Sequence, residues 1–131
     1  MSLSFKAAVV QIASIPNDPL ATAEKAATKL REAAAKGARL VVFPEALIGG
    51  YPKGASFGAP IGFRKPEGRD AFAKYHSRAI EIDGSEVEIM AEAAKETGTF
   101  VVVGVIERDK GTLYCTALYF DSEKGLVGKH R

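Results

Sequence analysis

A mixed α/β sheet, parallel at its start and antiparallel at its finish, is the fold class that the sequence predicts, and three stretches predict it. Residues 5–43 read as strand, helix and strand in succession, the pattern of a β-α-β unit. Residues 69–97 read as two helices. Residues 100–131 then read as three strands joined by tight turns, a meander that leaves one sheet edge unfinished.

Taken in order, Phe5 to Ile12 is mostly apolar and predicts a first buried strand. Asp18 offers an N-cap and Pro19 suits the first helical position, so a helix is expected over the alanine-rich run from Leu20 to Lys36. Its apolar face collects Ala23, Ala26, Ala27, Leu30, Ala33 and Ala34, and Gly37 closes it. Leu40 to Phe43 is a continuous apolar run, as in a strand covered on both faces. Pro44, with no N–H for a ladder, marks its exit. The two strands should be parallel, joined by a right-handed crossover.

Residues 46–67 carry five glycines and three prolines together with Tyr51, Phe57 and Phe63. A loop of that length inside a compact domain is commonly the wall or lid of a site. A helix is expected from Arg69 to Ile80, containing Phe72, Tyr75 and His76. Ser85 and Glu88 have the spacing of a capping box for a further helix ending at Thr97 and Gly98, with Val87, Ile89, Met90, Ala93 and Ala94 available for burial. Phe100 to Ile106 is the strongest strand signal in the chain. Thr112 to Phe120 follows after a turn, with Tyr114, Thr116, Leu118 and Phe120 on one face, and Leu126 to Arg131 begins another strand. An exposed last strand is a pairing hazard, which suggests that the sequence is the front part of something longer.

Composition narrows the function classes. The chain has 131 residues, 47% hydrophobic, and its 18 basic side chains are interspersed with 16 acidic ones, so neither a nucleic-acid stripe nor a polybasic membrane anchor is expected. No apolar run approaches a membrane span and the first residues lack a signal-peptide core, which points to a cytoplasmic protein. A single cysteine and two histidines, His76 and His130, predict neither a disulfide framework nor a metal centre, and no cofactor is expected.

Glu45 is the leading candidate for chemistry. It lies at the carboxyl end of a strand, where α/β sheets tend to place reacting groups, and partial desolvation there would raise its pKa toward the range of a general base. The alternative is a carboxylate that caps the loop or faces water, and position leaves both open. Cys115 lies mid-strand without a cationic neighbour and is read as a small buried hydrophobe rather than a nucleophile. His76, between Lys74 and Arg78, is read as a rim residue. Lys129 and His130 could stabilise developing negative charge, against the plainer reading of a solvated strand end. The glycines around Gly49, Gly50 and Gly54 do not have phosphate-loop spacing.

Four stretches together carry a resemblance: Ala7-Ala8-Val9-Val10-Gln11, Phe43-Pro44-Glu45-Ala46 with Gly49-Gly50-Tyr51-Pro52-Lys53-Gly54, Val101 to Glu107, and Gly128-Lys129-His130-Arg131. In order and spacing they resemble the N-terminal part of a nitrilase, a branch of the carbon-nitrogen hydrolase superfamily. The resemblance implies an α-β-β-α sandwich, of which residues 1–131 supply roughly the N-terminal half as an incomplete domain without an internal boundary. It also implies a Glu-Lys-Cys triad acting on a small-molecule nitrile through covalent thioimidate and thioester intermediates, with Glu45 matching the glutamate. Tyr51 resembles the family's pocket tyrosine, and the loop around Phe57 would shape the substrate entrance.

The family's lysine follows the arginine of Lys-His-Arg, which here is Arg131, and its cysteine lies on a later strand. Lys129, taken as two residues earlier than that lysine and so on the same face of an alternating strand, is read as a possible stand-in for it but not the matched position. The resemblance therefore implies that the missing C-terminal half is a required partner, that the segment by itself is inactive, and that the complete protein forms homo-oligomers. An amidase or carbamoylase of the same superfamily, or a non-catalytic α/β assembly module, is the alternative.

Overall fold

The computed structural model describes residues 3–59 and 64–131; Phe63 lies outside the described residues. Its elements are β1 (Lys6–Val9), α1 (Pro19–Ala35), β2 (Ala38–Val42), α2 (Pro66–Ser77), α3 (Ser85–Thr97), β3 (Phe100–Asp109), β4 (Thr112–Asp121) and β5 (Gly125–His130). The strands form one sheet in chain order, β1-β2-β3-β4-β5. β1, β2 and β3 are parallel, while β4 and β5 run antiparallel to their neighbours. The mixed sheet expected from the pattern is therefore present.

Helix α1 starts as its sequence dictates: the Asp18 carboxylate accepts from the Ala21 N–H at 2.8 Å, and Pro19 occupies the first turn. Its small apolar face lets α1 pack closely on α3, and both helices cover one face of the sheet. Ala23, Ala26, Ala27 and Leu30 meet Val87, Met90, Ala93 and Ala94 over Val41, Val101, Val103, Leu118 and Phe120. Each large side chain buried here contributes about 1.5–3 kcal/mol relative to exposure.

The other face is apolar but has no comparable layer over it. Register aligns Val9, Val42, Val102, Tyr119 and Gly128 across the five strands, one residue out of step with the buried row Val41, Val101 and Phe120. This corrects the expectation of a buried first strand, since Val9 is 81% exposed and only Ala8, Val10 and Ile12 reach the core. Likewise β2 is not covered on both faces: Val41 is buried, whereas Leu40 and Val42 are half-exposed.

Two helix starts also differ from the sequence pattern. Helix α2 begins at Pro66 and ends at Ser77, because the proline sets the first turn and the Ile80 backbone is bonded to β3 instead, through Ile106 O and Arg108 N. In α3 the N-cap is Gly84, whose carbonyl accepts from Val87 and Glu88 N–H. Ser85 is thus already helical and makes no capping bond, so the Ser85–Glu88 box is not formed. Gly98 ends α3 with φ 65°, a left-handed cap that glycine adopts without a Cβ penalty.

Candidate active site

The loop after β2 crosses the less covered face of β3. Phe43 N–H donates to Val102 O at 2.8 Å, Gly104 N–H to Pro44 O at 3.1 Å, Ile48 N–H to Gly104 O at 3.2 Å and Ile106 N–H to Ile48 O at 2.8 Å. Glu45 thus lies between points where the chain is stitched to β3. Gly104 makes that crossing possible, because a Cβ there would stand 2.5 Å from both Glu45 Cα and Pro44 O. Ala46, the next residue, is buried with φ 50°, a left-handed conformation that costs a non-glycine residue about 1 kcal/mol. It is held there by packing with Ala79 and Ile106.

The Glu45 carboxylate opens into a cavity of about 460 Å³ lined by Tyr51, Tyr75, Leu113, Tyr114 and Cys115. Contrary to the desolvated group anticipated at a strand end, Glu45 is exposed, with loop backbone behind it and the cavity in front. Its partner is Cys115, whose thiol donates to Glu45 Oε1 at 3.2 Å. Cys115 is itself exposed, which overturns its reading as a buried hydrophobe. The physical reason is strand parity: Thr116, Leu118 and Phe120 take the helix side, and Cys115 takes the other. Partial burial, then the hydrogen bond and negative charge of Glu45, push the Cys115 thiol above its ordinary pKa. It therefore remains a neutral donor at neutral pH, opposite to the lowered pKa of an activated nucleophile.

The remaining candidates fall in different places. Tyr51 is on the cavity rim, 67% exposed. Phe57 stacks against Phe72 and Tyr75, with ring centroids 5.5 and 5.4 Å away, so it stands behind Tyr75 rather than against Glu45. His130 pairs with Ala117, which pairs with Gly104, and so lies exposed on the same face as Glu45, two strands across or about 10 Å. His76 packs near Phe72 and is half-buried.

Lys129 pairs with Leu118 on the helix side and bonds to the buried Glu107 carboxylate, not to Glu45. It stands three residues before the position that follows Arg131, an odd number, so the two belong to opposite faces. The stand-in expected for Lys129 is therefore on the wrong side of the sheet.

Tyr75, Gly104 and Glu107 were not singled out from the sequence. Gly104 did carry a signal, a lone glycine inside the strongest apolar strand, which marks close approach of another backbone. Tyr75 has its hydroxyl pushed above its ordinary pKa by burial, then by the nearby Cys115 and Tyr51 groups.

Residues 6–131 match the model of the carbon-nitrogen hydrolase family. The chain belongs to the carbon-nitrogen hydrolases. It is 65% identical over 128 residues to a nitrilase of Bradyrhizobium diazoefficiens, an alignment covering 98% of this chain and 40% of the relative. It is 61% identical over 127 residues to an aliphatic nitrilase of Sinorhizobium fredii, covering 97% and 41% respectively. The fold is also that of an amidase from Nesterenkonia sp., with TM-score 0.61 at 20% identity over 95% of this chain and 41% of that one. This carbon-nitrogen hydrolase chain thus spans about two-fifths of the length of the relatives it matches. Among its described residues no helix is long and apolar enough to cross a membrane.

Proposed function

We propose that the chain is the N-terminal portion of a nitrilase and that Glu45 is the general base of its active site. The observation that carries this reading is the placement of Glu45, anchored over Gly104 with its carboxylate in the cavity, in a chain whose relatives are nitrilases. The other two members of the triad belong to the part of the protein after Arg131. If the β4–β5 ladder runs two steps past Ala117 and His130, Arg131 comes opposite Thr116 and the next residue opposite Cys115, on the face of Glu45. A lysine at that position would stand beside the base, as the resemblance requires.

In this reading Glu45 takes the proton of the nucleophilic thiol supplied by the later segment. The thiolate adds to the nitrile carbon, and protonation of the nitrogen gives a thioimidate. One water adds to that carbon and ammonia leaves, giving a thioester. A second water, deprotonated by Glu45, displaces the thiolate and releases the carboxylic acid, while the lysine cation stabilises the negative charge of each tetrahedral stage. Cys115 is the wrong thiol for attack, since it is a neutral donor already bound to the base. The uncovered row of Val9, Val42 and Val102 is the surface on which the second sheet of the sandwich would pack, and the complete enzyme is expected to be a homo-oligomer.

The test is turnover by protein extended to the length of its relatives. The extended enzyme should release ammonia from nitriles, Glu45→Gln should abolish that release, and the 131-residue chain should show none. Nitrile hydrolysis by the short chain, or full activity in Glu45→Gln, refutes the proposal. Turnover of amides in place of nitriles would assign the protein to an amidase branch.

A further inference from the structure

The most heavily bonded side chain near the site takes no part in the chemistry above. Glu107 is buried on the helix side of β3, 1% exposed, and four donors converge on its carboxylate. Thr116 Oγ1 donates at 2.8 Å, Arg131 Nε at 3.0 Å and Arg131 Nη2 at 2.8 Å, and Lys129 Nζ completes the set. Arg131 forks onto both carboxylate oxygens, donates also to Asp109 at 2.8 Å, and lies 3.8 Å over the Tyr114 ring. Two cations thus face two carboxylates, and the cluster is balanced in charge. Charge-assisted bonds from Arg131 come first, with Lys129 and Thr116 adding to them, and against the opposing effect of burial they hold the Glu107 carboxyl at about 2. It stays ionised throughout the working range of an enzyme.

The place of this cluster gives it a purpose. Within the β4–β5 ladder Lys129 stands opposite Leu118 and His130 opposite Ala117. Lys129 and Arg131, on either side of His130, are also tied by their side chains from β5 under β4 to Glu107 on β3. Lys129 and Arg131 are drawn to the helix side, so His130 is turned to the opposite side, where Cys115 holds Glu45, and strand alternation would turn a residue after Arg131 the same way. We propose that Glu107 is a positioning residue of the active site, binding Lys129 and Arg131 so that the end of β5 stays in register and the residue after Arg131 is presented beside Glu45. This deepens the nitrilase reading and rests on it for the role of that next residue. A brace that merely stabilises the sheet would need no such relation to the far face.

Two measurements on the full-length enzyme test it. In Glu107→Gln, which keeps the shape and loses the charge, kcat per titrated active-site thiol should fall about tenfold or more with KM within about threefold, because a displaced charge-stabilising group weakens the transition state more than binding. Glu107→Asp, which restores the charge on a shorter arm, should recover part of the loss. Amide hydrogen exchange at Lys129, His130 and Arg131 should quicken about tenfold in Glu107→Gln, since an opening cost lowered by one factor of ten is all that is asked. An unchanged kcat per titrated thiol, or unchanged exchange at these amides, overturns the proposal.

If Glu107→Gln does not fold, Thr116→Val removes one donor and keeps the ion pairs. A fall in kcat of about twofold or more with unchanged KM is expected there, in proportion to one hydrogen bond of four, and no fall overturns the proposal. Failure of the nitrilase reading is separately visible, in a full-length parent that leaves nitriles unhydrolysed or in a Glu45→Gln variant that keeps its activity. The exchange experiment decides whether Glu107 holds the end of β5 even in that case.

Discussion

Glu45 and Glu107 are two carboxylates near the same end of the sheet, and their surroundings differ in every respect that matters to chemistry. Glu107 lies under the helices with four donors on its oxygens and two cations against it. Glu45 lies on the other face with one thiol donor among the described residues and an open cavity before it. A carboxylate whose lone pairs are occupied by donors offers no acceptor to a substrate group, whereas one with free lone pairs does. The fold thus separates a carboxylate saturated with donors from one with free lone pairs, one on each side of β3, within a few residues of Gly104.

The contrast is broken most severely at Glu45. In the full-length enzyme Glu45→Gln should lower kcat by about a thousandfold or more, as expected for loss of a general base, while its exposed position keeps the change in stability within about 0.5 kcal/mol. Urea unfolding beside nitrile turnover checks both. Glu107→Ala should act on stability in the short chain, costing about 3 kcal/mol because two cations are left facing a void. A stability loss at Glu45 matching that at Glu107 would erase the distinction.

A smaller effect is expected at Gly104→Ala. A Cβ at 2.5 Å from Glu45 Cα must push the loop off β3, costing about 1–3 kcal/mol of stability and moving Glu45 without touching the Glu107 cluster. Thermal unfolding and the Cys115 alkylation rate report the two consequences.

Acid titration sharpens the comparison further. Because the folded-state pKa of Glu107 is depressed to about 2, its stabilisation is fully present above the ordinary carboxylate pKa and is lost as pH falls through about 2. The gap in unfolding free energy between the parent chain and Glu107→Gln should therefore be constant above about pH 5 and narrow toward pH 2. The smallest effect concerns Cys115. Its thiol should react with iodoacetamide more slowly than free cysteine at pH 7.5, and Glu45→Gln should speed that reaction by removing a charge that raises the thiol pKa.

Much of this was legible in the residues. The start of α1 at Asp18 and Pro19, the left-handed end of α3 at Gly98 and the apolar row of Phe100 to Ile106 each follow from local chemistry. So does the exit of β2 at Pro44, which puts Glu45 at a strand end. These are matters of neighbours within a few positions, where propensity, capping and alternation act. The family resemblance carried by Phe43-Pro44-Glu45-Ala46 and Gly128-Lys129-His130-Arg131 agrees with the family matched over residues 6–131.

Which face each strand turns toward a neighbour was decided only in three dimensions. An apolar strand such as β1 reads as buried whether or not a second layer lies over it, and here Val9 is exposed because the helices cover the other side. Cys115 and Lys129 illustrate the same physics from opposite directions. Each has the composition of its neighbourhood, but β3–β4 pairing sends Cys115 to Glu45 and β4–β5 pairing sends Lys129 to Glu107, and no local pattern encodes a pairing made across 70 or 22 residues of chain. The sequence by itself determined the elements, their order and the carboxylate at the end of β2. Tertiary structure decided the partners of that carboxylate, because hydrogen bonds between distant strands depend on register and facing rather than on what stands next in the chain.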